Sequence, residues 1–163
     1  MSHPPRTPPP EALAGLQQML MQGAFDRALG LAEKLDADFP EDARVANMLG
    51  LALMQTGRAA PALAAFARAN AADPGFTSAF VNRANLLVAL GRFGEALPVC
   101  DAALRARPDV ANTAKANHLL GLAHGGHELR ARKLVAAFDE GHVRGRRLQQ
   151  VGQFARADAF GIV

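Results

Sequence analysis

Histidine is the residue type in this sequence that is best suited to metal binding or proton transfer, and four of the five histidines lie in the last third of the chain. These are His118, His124, His127 and His142. His124 and His127 are three residues apart, but Gly125 and Gly126 lie between them and argue against a helix that presents both on one face. Because their spacing matches no zinc signature, we predict no metal site.

Nucleophilic and cofactor-dependent chemistry has little support in the sequence. Cys100 is the only cysteine, so it can form no internal disulfide, and its place on an apolar helical stripe predicts a small buried residue. The sequence contains no glycine-rich phosphate loop, no Gly-x-Ser-x-Gly elbow and no motif of paired carboxylates. We therefore predict that the chain is not an enzyme and binds no cofactor.

Positive charge is concentrated toward the C-terminal end of the sequence. Residues 111–163 contain eight Lys and Arg against four Asp and Glu, whereas residues 1–110 are nearly balanced. The basic block consists of Arg130, Arg132, Lys133, Arg144, Arg146 and Arg147. It either contacts an acidic partner or nucleic acid, or it is the solvated face of a terminal helix. No aromatic residues alternate with the basic ones, which argues against nucleic acid.

A period of 34 residues organises the elements that would position any site. Gly57 and Pro74 recur one period upstream and one period downstream, together with an Ala-Leu pair. The matching positions are Gly23, Ala28, Leu29 and Pro40; Gly57, Ala62, Leu63 and Pro74; and Gly91, Ala96, Leu97 and Pro108. Glycine supplies the left-handed conformation that ends many helices, and the residue before proline is disfavoured in a helix. Each copy is therefore predicted to be a helix hairpin that turns at the glycine and ends at the proline.

Apolar residues at helical spacing support two helices within residues 43–76. Leu49, Leu53 and Met54 share one face of the first helix. The inward stripe of the second helix consists of Ala62, Leu63, Phe66 and Ala69. By the same criterion, the first helix of the whole chain is predicted at residues 11–22.

Two residues interrupt the pattern of the third copy. Pro98 lies about five residues inside its predicted helix, so we expect a late helix start or a local kink there. Arg83 occupies a position that holds the apolar Leu49 in the preceding copy. We expect Arg83 to extend its stem toward solvent or to pair with an acid.

The period is interrupted after Pro108. Residues 114–123 repeat the pattern of residues 43–52 only if three extra residues are inserted before them. Gly125 and Gly126 are predicted to end this helix, and residues 128–139 to supply its partner helix. Residues 141–145 are then a hinge and residues 146–159 a basic capping helix, because the last hairpin of a stacked array would otherwise expose an apolar face.

We accordingly divide the chain into six segments. Residues 1–8 form a proline-rich arm that is predicted to be disordered. Three repeats follow at residues 9–42, 43–76 and 77–110, and a degenerate fourth repeat at residues 111–141. Residues 142–163 are the basic capping helix and tail.

The sequence resembles the tetratricopeptide repeat (TPR) family, whose 34-residue pattern sets Leu-Gly in the first helix, small residues in the second and a closing proline. Residues 43–76 match this pattern through Leu49, Gly50, Leu53, Gly57, Ala62, Phe66, Ala69 and Pro74. Residues 77–110 match through Phe80, Ala84, Leu87, Gly91, Phe93, Ala96, Cys100, Ala103 and Pro108, and residues 9–42 match through Met19, Gly23, Phe25, Ala28 and Pro40. The resemblance implies an all-α fold, a right-handed α-solenoid of stacked antiparallel helix hairpins with a C-terminal capping helix.

The resemblance also implies a concave groove, because in this family the first helices of successive hairpins line a surface that binds peptides or helices. The equivalent positions here are Gln17, Met21, Arg44, Asn47, Leu51, Met54, Gln55, Ser78, Val81, Asn82, Asn85, Val88, Lys115 and His118, with Leu13, Leu20 and Leu122 beside them. The amides of Asn47, Asn82 and Asn85 are expected to hold a ligand backbone. Three of these residues could equally well be core residues that pack against a neighbouring helix: Leu13, Leu20 and Leu51.

The other groove residues divide by polarity. Leu51, Met54 and Val88 are expected to form an adaptable apolar floor. Arg44 and Lys115 are expected to engage an acidic group of the ligand. The partner is therefore predicted to be a protein that offers a peptide or helix with an acidic group.

Two positions depart from the family members that clamp the C-terminal carboxylate of heat-shock chaperones. Those members carry lysines where this sequence has Leu13 and Ser78, so we do not predict that clamp. Trp and Tyr are absent from the sequence, so the usual aromatic anchors of tight interfaces are missing and we expect moderate affinity.

Together these observations predict a non-enzymatic, bacterial-type protein–protein interaction module. Two alternatives stay open: the chain is the repeat segment of a larger multidomain enzyme of the transferase type, or it is a scaffold that self-associates through its apolar tail at residues 159–163. No apolar run is long enough for a membrane span, and the N-terminus lacks the apolar core of a signal peptide. We therefore expect a cytoplasmic protein with no membrane partner.

Overall fold

The computed structural model describes residues 7–106 and 110–142 of the chain, with side chains described through Lys133 in the last helix. Its regular elements are seven α-helices. They are α1 Pro10–Met21, α2 Phe25–Asp38, α3 Ala43–Gln55, α4 Ala59–Ala72, α5 Thr77–Ala89, α6 Phe93–Arg105 and α7 Val110–His142. The predicted capping helix, the apolar tail and residues 1–6 of the predicted arm lie outside the described residues. Pro8, which we had included in that arm, is buried.

The helices stack as hairpins in two layers. Each helix packs against the next one in the chain, and α1, α3, α5 and α7 also contact one another in succession. The first helices of successive hairpins therefore form one continuous layer, and the second helices lie outside it. This arrangement confirms the predicted all-α solenoid of antiparallel hairpins.

The hairpins turn at the three glycines that the period identified. Gly23, Gly57 and Gly91 have positive φ angles of 74°, 77° and 68°. At Gly57 the helix end is closed by two backbone bonds, because the N–H of Gly57 donates to the carbonyl of Met54 at 3.1 Å and that of Arg58 donates to Leu53 at 2.8 Å. A residue with a Cβ is disfavoured in this conformation, which explains why glycine recurs at each turn.

Small side chains between the layers allow the helices to approach closely. Ala28, Ala62 and Ala96, which recur once per repeat in the second helices, are all fully buried. The largest fully buried side chain is Phe66 of α4, whose ring lies against the backbone of α3 at Gly50. The recurring alanines are therefore buried between helices, and Gly50 allows the ring of Phe66 to approach α3.

The prediction that Gly125 and Gly126 end a helix is wrong. The α7 helix continues through both glycines, so residues 128–139 form no separate partner helix. A glycine inside a helix costs only about 1 kcal/mol relative to alanine, which tertiary contacts can offset. Here the ring of Phe93 lies so close to Gly126 that a Cβ at this glycine would fall 2.5 Å from its Cζ atom. Gly126, which we interpreted as part of a helix break, is instead the place where the ring of Phe93 packs against α7.

The two irregularities of the third repeat have different outcomes. The helix that contains Pro98 begins at Phe93, so its start is not delayed, and Pro98 is its sixth residue. Arg83 is half-buried, and its Nε atom has no hydrogen-bond partner. The nearby Glu95 has a lowered pKa, chiefly because the Arg92 guanidinium donates hydrogen bonds to it and to a smaller extent because of the Arg83 charge.

Candidate functional site

A pocket of about 530 Å³ opens between α3, α5 and α7 on the layer of first helices. Eight of the predicted groove residues line it: Asn47, Leu51, Ser78, Val81, Asn82, Asn85, Lys115 and His118. Asn112 and Leu119 line it as well. We call this the amide pocket, because four of its ten lining residues are asparagines.

Hydrogen bonds between neighbouring helices cross the amide pocket. The Nδ2 group of Asn82 on α5 donates to Oδ1 of Asn47 on α3 at 2.9 Å. The Nδ2 group of Asn112 on α7 donates to Oγ of Ser78 on α5 at 3.4 Å. Asn47 is only 7% exposed, so its amide belongs more to the interface between the helices than to the open surface.

The pocket has an apolar floor and a basic side. Val81 and Leu119 are buried and Leu51 is half-buried, so the floor of the pocket is apolar. Lys115 and His118 are exposed on α7, and no Asp or Glu is among the described residues that line the pocket. A ligand with an acidic group would therefore meet the ammonium group of Lys115 and the imidazole N–H of His118.

The other predicted groove residues lie outside the amide pocket. Gln17, Gln55 and Met21 are exposed, and Met21 is the most exposed large apolar side chain at 82%. Met54 and Val88 are half-buried, pack against the apolar core and are not among the residues that line the amide pocket. The amide pocket therefore takes its lining from the first helices of the second and third repeats and from α7.

The three leucines beside the predicted groove have different environments. Leu13 is buried and Leu20 is half-buried in the core cluster of α1 to α4, so for these two the core alternative is correct. Leu122 is 46% exposed on α7.

Arg44 faces away from the amide pocket. Its Nη2 atom lies 2.6 Å from Oδ2 of Asp42, the residue that caps α3 by accepting hydrogen bonds from the N–H groups of Arg44 and Val45. The Arg44 side-chain bond is the largest cause that lowers the pKa of Asp42. Arg44 lines a separate pocket of about 480 Å³ beside Asp38, Asp42 and Asp73, where an acidic ligand group would be repelled.

Histidine and cysteine chemistry has no assembled site in the described part of the chain. His118 is in the amide pocket, whereas His124 is exposed and His127 lies beside Gly94. No group of three His, Cys, Asp or Glu among the described residues could hold a metal ion. Cys100 is buried as predicted, and burial raises the pKa of its thiol. None of the described helices is both long enough and apolar enough to pass through a bilayer.

The sequence reasoning missed Asn112 and Leu119. Asn112 lies 34 residues after Ser78, its hydrogen-bond partner, so the period counted without a break would have indicated it. The three-residue insertion that we placed after Pro108 hid this relationship. Leu119 precedes the Leu-Gly pair that we aligned with the second repeat, and its position in the pocket depends on how α7 packs against α5.

Comparison with known proteins identifies the repeat. The sequence profile described as "Tetratricopeptide repeat" matches residues 19–80 and 53–120, which is more than half of the chain. No curated protein matches the sequence. Solved structures that are similar to this chain include the TPR2B domain of yeast Sti1 in complex with pHsp70, with a TM-score of 0.65 and 24% identity over 71% of this chain and 94% of that one.

Two further structures extend the comparison. The first TPR of Spaghetti (RPAP3), bound to the HSP90 peptide SRMEEVD, has a TM-score of 0.61 and 19% identity over 70% of this chain and 89% of that one. A mutant of the Thermobaculum terrenum O-GlcNAc transferase has a TM-score of 0.62 and 26% identity over 69% of this chain but only 21% of that one. The hairpins turn at the glycines of a 34-residue period, and the profile matches residues 19–120. The chain belongs to the tetratricopeptide repeat family.

Proposed function

We propose that the protein is a non-enzymatic interaction module that binds an extended segment of a partner protein in the amide pocket. The observation that carries this proposal is the convergence of eight predicted groove residues, from three different helices, on one pocket. An apolar floor beside amides that offer both donors and acceptors suits a peptide, because a peptide presents a backbone N–H and C=O at nearly every residue.

The charge of the pocket supports an acidic group in the ligand. Lys115 and His118 lie on its α7 side, and the described lining contains no carboxylate to compete for them. The TPR domains of Sti1 and Spaghetti are described with chaperone-derived ligands, and the peptide SRMEEVD of the latter is itself acidic. For this chain we propose the broader ligand class, an acidic extended peptide, without the carboxylate clamp whose lysine positions are occupied by Leu13 and Ser78.

Selection from a random dodecapeptide library displayed on phage tests the proposal. Selected peptides should be enriched in Asp and Glu and should bind the purified chain in fluorescence anisotropy. Combining Asn85→Ala with Lys115→Ala should weaken the binding of the best selected peptide by about tenfold or more, as expected for the loss of one neutral and one charged contact. Both residues are exposed, so the melting temperature should hardly change.

A matched control uses exposed residues outside the amide pocket. Combining Gln17→Ala with Gln55→Ala should leave the affinity for the same peptide unchanged. If no peptide is selected, or if the two double variants weaken binding equally, the amide pocket is not the binding site.

The alternative of a repeat segment within a larger transferase-type enzyme has one supporting observation. The Thermobaculum terrenum O-GlcNAc transferase contains a segment with this fold, and this chain corresponds to about a fifth of that protein. A reading frame that continues beyond Val163 into a catalytic domain would favour this alternative. The amide pocket would then recruit a protein to that domain.

Self-association through residues 159–163 and a cytoplasmic location also remain proposals. The tail lies outside the described residues, so the prediction that it forms oligomers depends on its apolar sequence alone. Light scattering of the chain with and without residues 159–163 tests it, because an unchanged mass would exclude an intermolecular role for the tail. Fractionation of expressing cells tests the location.

A further inference from the structure

The Asn47–Asn82 pair joins a buried side chain to one that faces the amide pocket. Asn47 is 7% exposed, whereas Asn82 is half-buried and forms part of the pocket lining between α3 and α5. The bond between them has a direction, because Nδ2 of Asn82 is the donor and Oδ1 of Asn47 is the acceptor, at 2.9 Å. A buried residue thus determines how an accessible amide is turned.

The direction of this bond decides what Asn82 can offer to a ligand. A side-chain amide has two N–H donors on one side and a carbonyl acceptor on the other. When Nδ2 is held by Asn47, the Oδ1 atom of Asn82 is turned away from Asn47. A freely rotating amide would present either group and would lose that freedom on binding, at an entropic cost.

We propose that Asn47 is a positioning residue that fixes the Asn82 amide so that its Oδ1 atom accepts a hydrogen bond from a backbone N–H of the bound segment. This inference rests on the proposed peptide-binding function and adds the direction of one hydrogen bond, in which the ligand is the donor and Asn82 the acceptor. The ligand would donate an N–H to Oδ1 of Asn82, whose second Nδ2 hydrogen stays available for a ligand carbonyl. The acidic group of the ligand is directed to Lys115 and His118 on α7. A peptide carries both groups, whereas a small inorganic anion carries no N–H donor.

The arrangement of neighbouring residues supports a role beyond joining two helices. The buried Leu86 of α5 belongs to the core cluster that contains residues of α1 to α4, so apolar packing also holds α5 in the stack. Asn85, one turn from Asn82 on α5, lines the same pocket and is exposed. Asn85 therefore provides a comparison, because it is an amide of the same pocket that projects further into solvent than Asn82.

The hydrogen bond itself is tested in the ligand-free protein by NMR of the asparagine side chains. One Nδ2 proton of Asn82 should exchange slowly with solvent and should be shifted away from the value that it has in a solvent-exposed asparagine amide. Asn47→Leu, which keeps the side-chain volume, should abolish both properties. Asn47→Asp, which keeps an acceptor, should retain them, and the reverse result would show that Asn82 is not the donor.

The positioning role is tested by a double-mutant cycle with the best peptide from the dodecapeptide selection. Asn47→Leu should weaken binding by about three- to tenfold, the range expected for one hydrogen bond. In an Asn82→Ala background the same substitution should change the affinity by less than twofold, since Asn47 then has no amide to orient. If Asn47→Leu prevents folding, Asn47→Ala serves the same comparison.

A purely structural role gives a different result. Asn47→Leu would then lower the melting temperature and either leave the affinity unchanged or reduce it equally in both backgrounds. That outcome would overturn the positioning role while the binding of the peptide itself still supported the proposed function. Failure to select any peptide would overturn both.

The donor requirement is tested with ester-containing versions of the same peptide, in which one backbone N–H at a time is replaced by oxygen. One replacement should weaken binding to the wild type several-fold and should cause no further loss with Asn82→Ala. If every ester peptide loses the same affinity in both backgrounds, Asn82 does not accept from the ligand backbone.

Discussion

The ring of Phe66 lies directly against the backbone of Gly50, so close that a Cβ at Gly50 would fall 2.5 Å from the Cε1 atom of the ring. The same relationship recurs at the C-terminal end, where the ring of Phe93 lies against Gly126. In both cases an aromatic ring of a second helix fills the space above a glycine in a first-layer helix. These two contacts set how closely α4 approaches α3 and how closely α6 approaches α7.

Replacing either glycine by alanine should therefore destabilise the protein. We expect Gly50→Ala and Gly126→Ala each to reduce the free energy of unfolding by about 1–3 kcal/mol, the usual cost of overpacking. Gly121→Ala is the matched control, because nothing lies within 4 Å of a Cβ at that helical position. It should raise stability by about 0.5–1 kcal/mol through helix propensity. Urea denaturation followed by circular dichroism measures all three, and a stabilising Gly126→Ala would contradict the packing at Phe93.

At the turn glycines, the effect of a substitution on stability should depend on backbone conformation and not on packing. Nothing lies within 4 Å of a Cβ at Gly57, but its φ angle is 77°. Gly57→Ala should therefore cost about 1–2 kcal/mol, because an L-residue is strained in the left-handed region, and Gly57→Asn should cost less. Thermal denaturation compares the two variants, and equal melting temperatures for alanine and glycine would exclude this explanation.

Arg83 offers a route to a more stable protein. Its Nε atom is buried without a partner, and the repeat places an apolar residue at this position. Arg83→Leu should raise the free energy of unfolding by about 1–2 kcal/mol, since it removes an unsatisfied donor and adds apolar burial. Arg92→Leu, at an exposed arginine that pairs with Glu95, should give no such gain. A lower melting temperature for Arg83→Leu would show that its charge is needed for stability.

The cap of α3 should make stability depend on pH. Bonding to the Arg44 side chain and to the N–H groups of α3 lowers the pKa of Asp42 below 3.8 in the folded state. Because the folded pKa is the lower one, the stabilisation is complete well above 3.8 and is lost as the pH falls through the folded pKa. Asp42→Ala should cost about 1 kcal/mol at pH 7, and this difference from wild type should shrink below about pH 4.

The control for the cap is Glu41, an exposed carboxylate next to Asp42. Glu41→Ala should change the free energy of unfolding by less than about 0.5 kcal/mol at either pH. If the cost of Asp42→Ala were the same at pH 3 and pH 7, ionisation of Asp42 would not contribute to the cap.

Sequence reasoning was most successful where a single residue has a strong backbone preference. Gly23, Gly57 and Gly91 were placed at the turns because glycine tolerates positive φ angles. Pro40 and Pro74 were placed after the second helices because proline disfavours a helical residue before it. The repetition of these residues at one period then predicted stacked hairpins, and the grouping of Asn82, Asn85 and Lys115 followed from equivalent positions in that stack.

Sequence reasoning was less successful where the neighbouring residues in the sequence allowed two interpretations of one residue. A glycine at position 126 is compatible with a helix break and with a close contact between two helices. Only the ring of Phe93, which lies against Gly126, shows that the second interpretation is correct. An arginine at position 44 suits a contact with an acidic ligand, but in the structure its guanidinium pairs with Asp42, the residue that caps α3. Asn47 was expected to contact the ligand, and the structure adds that it is only 7% exposed and bonds to Asn82 in the lining of the amide pocket.

Taken alone, the sequence determined the period, the helix hairpins and the layer of helices on which a binding surface would form. These properties depend on backbone preferences and apolar spacing within a few residues, which any single repeat already contains. Only the tertiary structure decided that α7 is one helix, that Arg44 pairs with the cap residue Asp42 and that Asn47 bonds to Asn82. Those outcomes depend on how helices pack and how side chains pair. Phe93 and Gly126, and likewise Asn47 and Asn82, lie more than thirty residues apart in the chain, so no local sequence pattern could indicate that they meet.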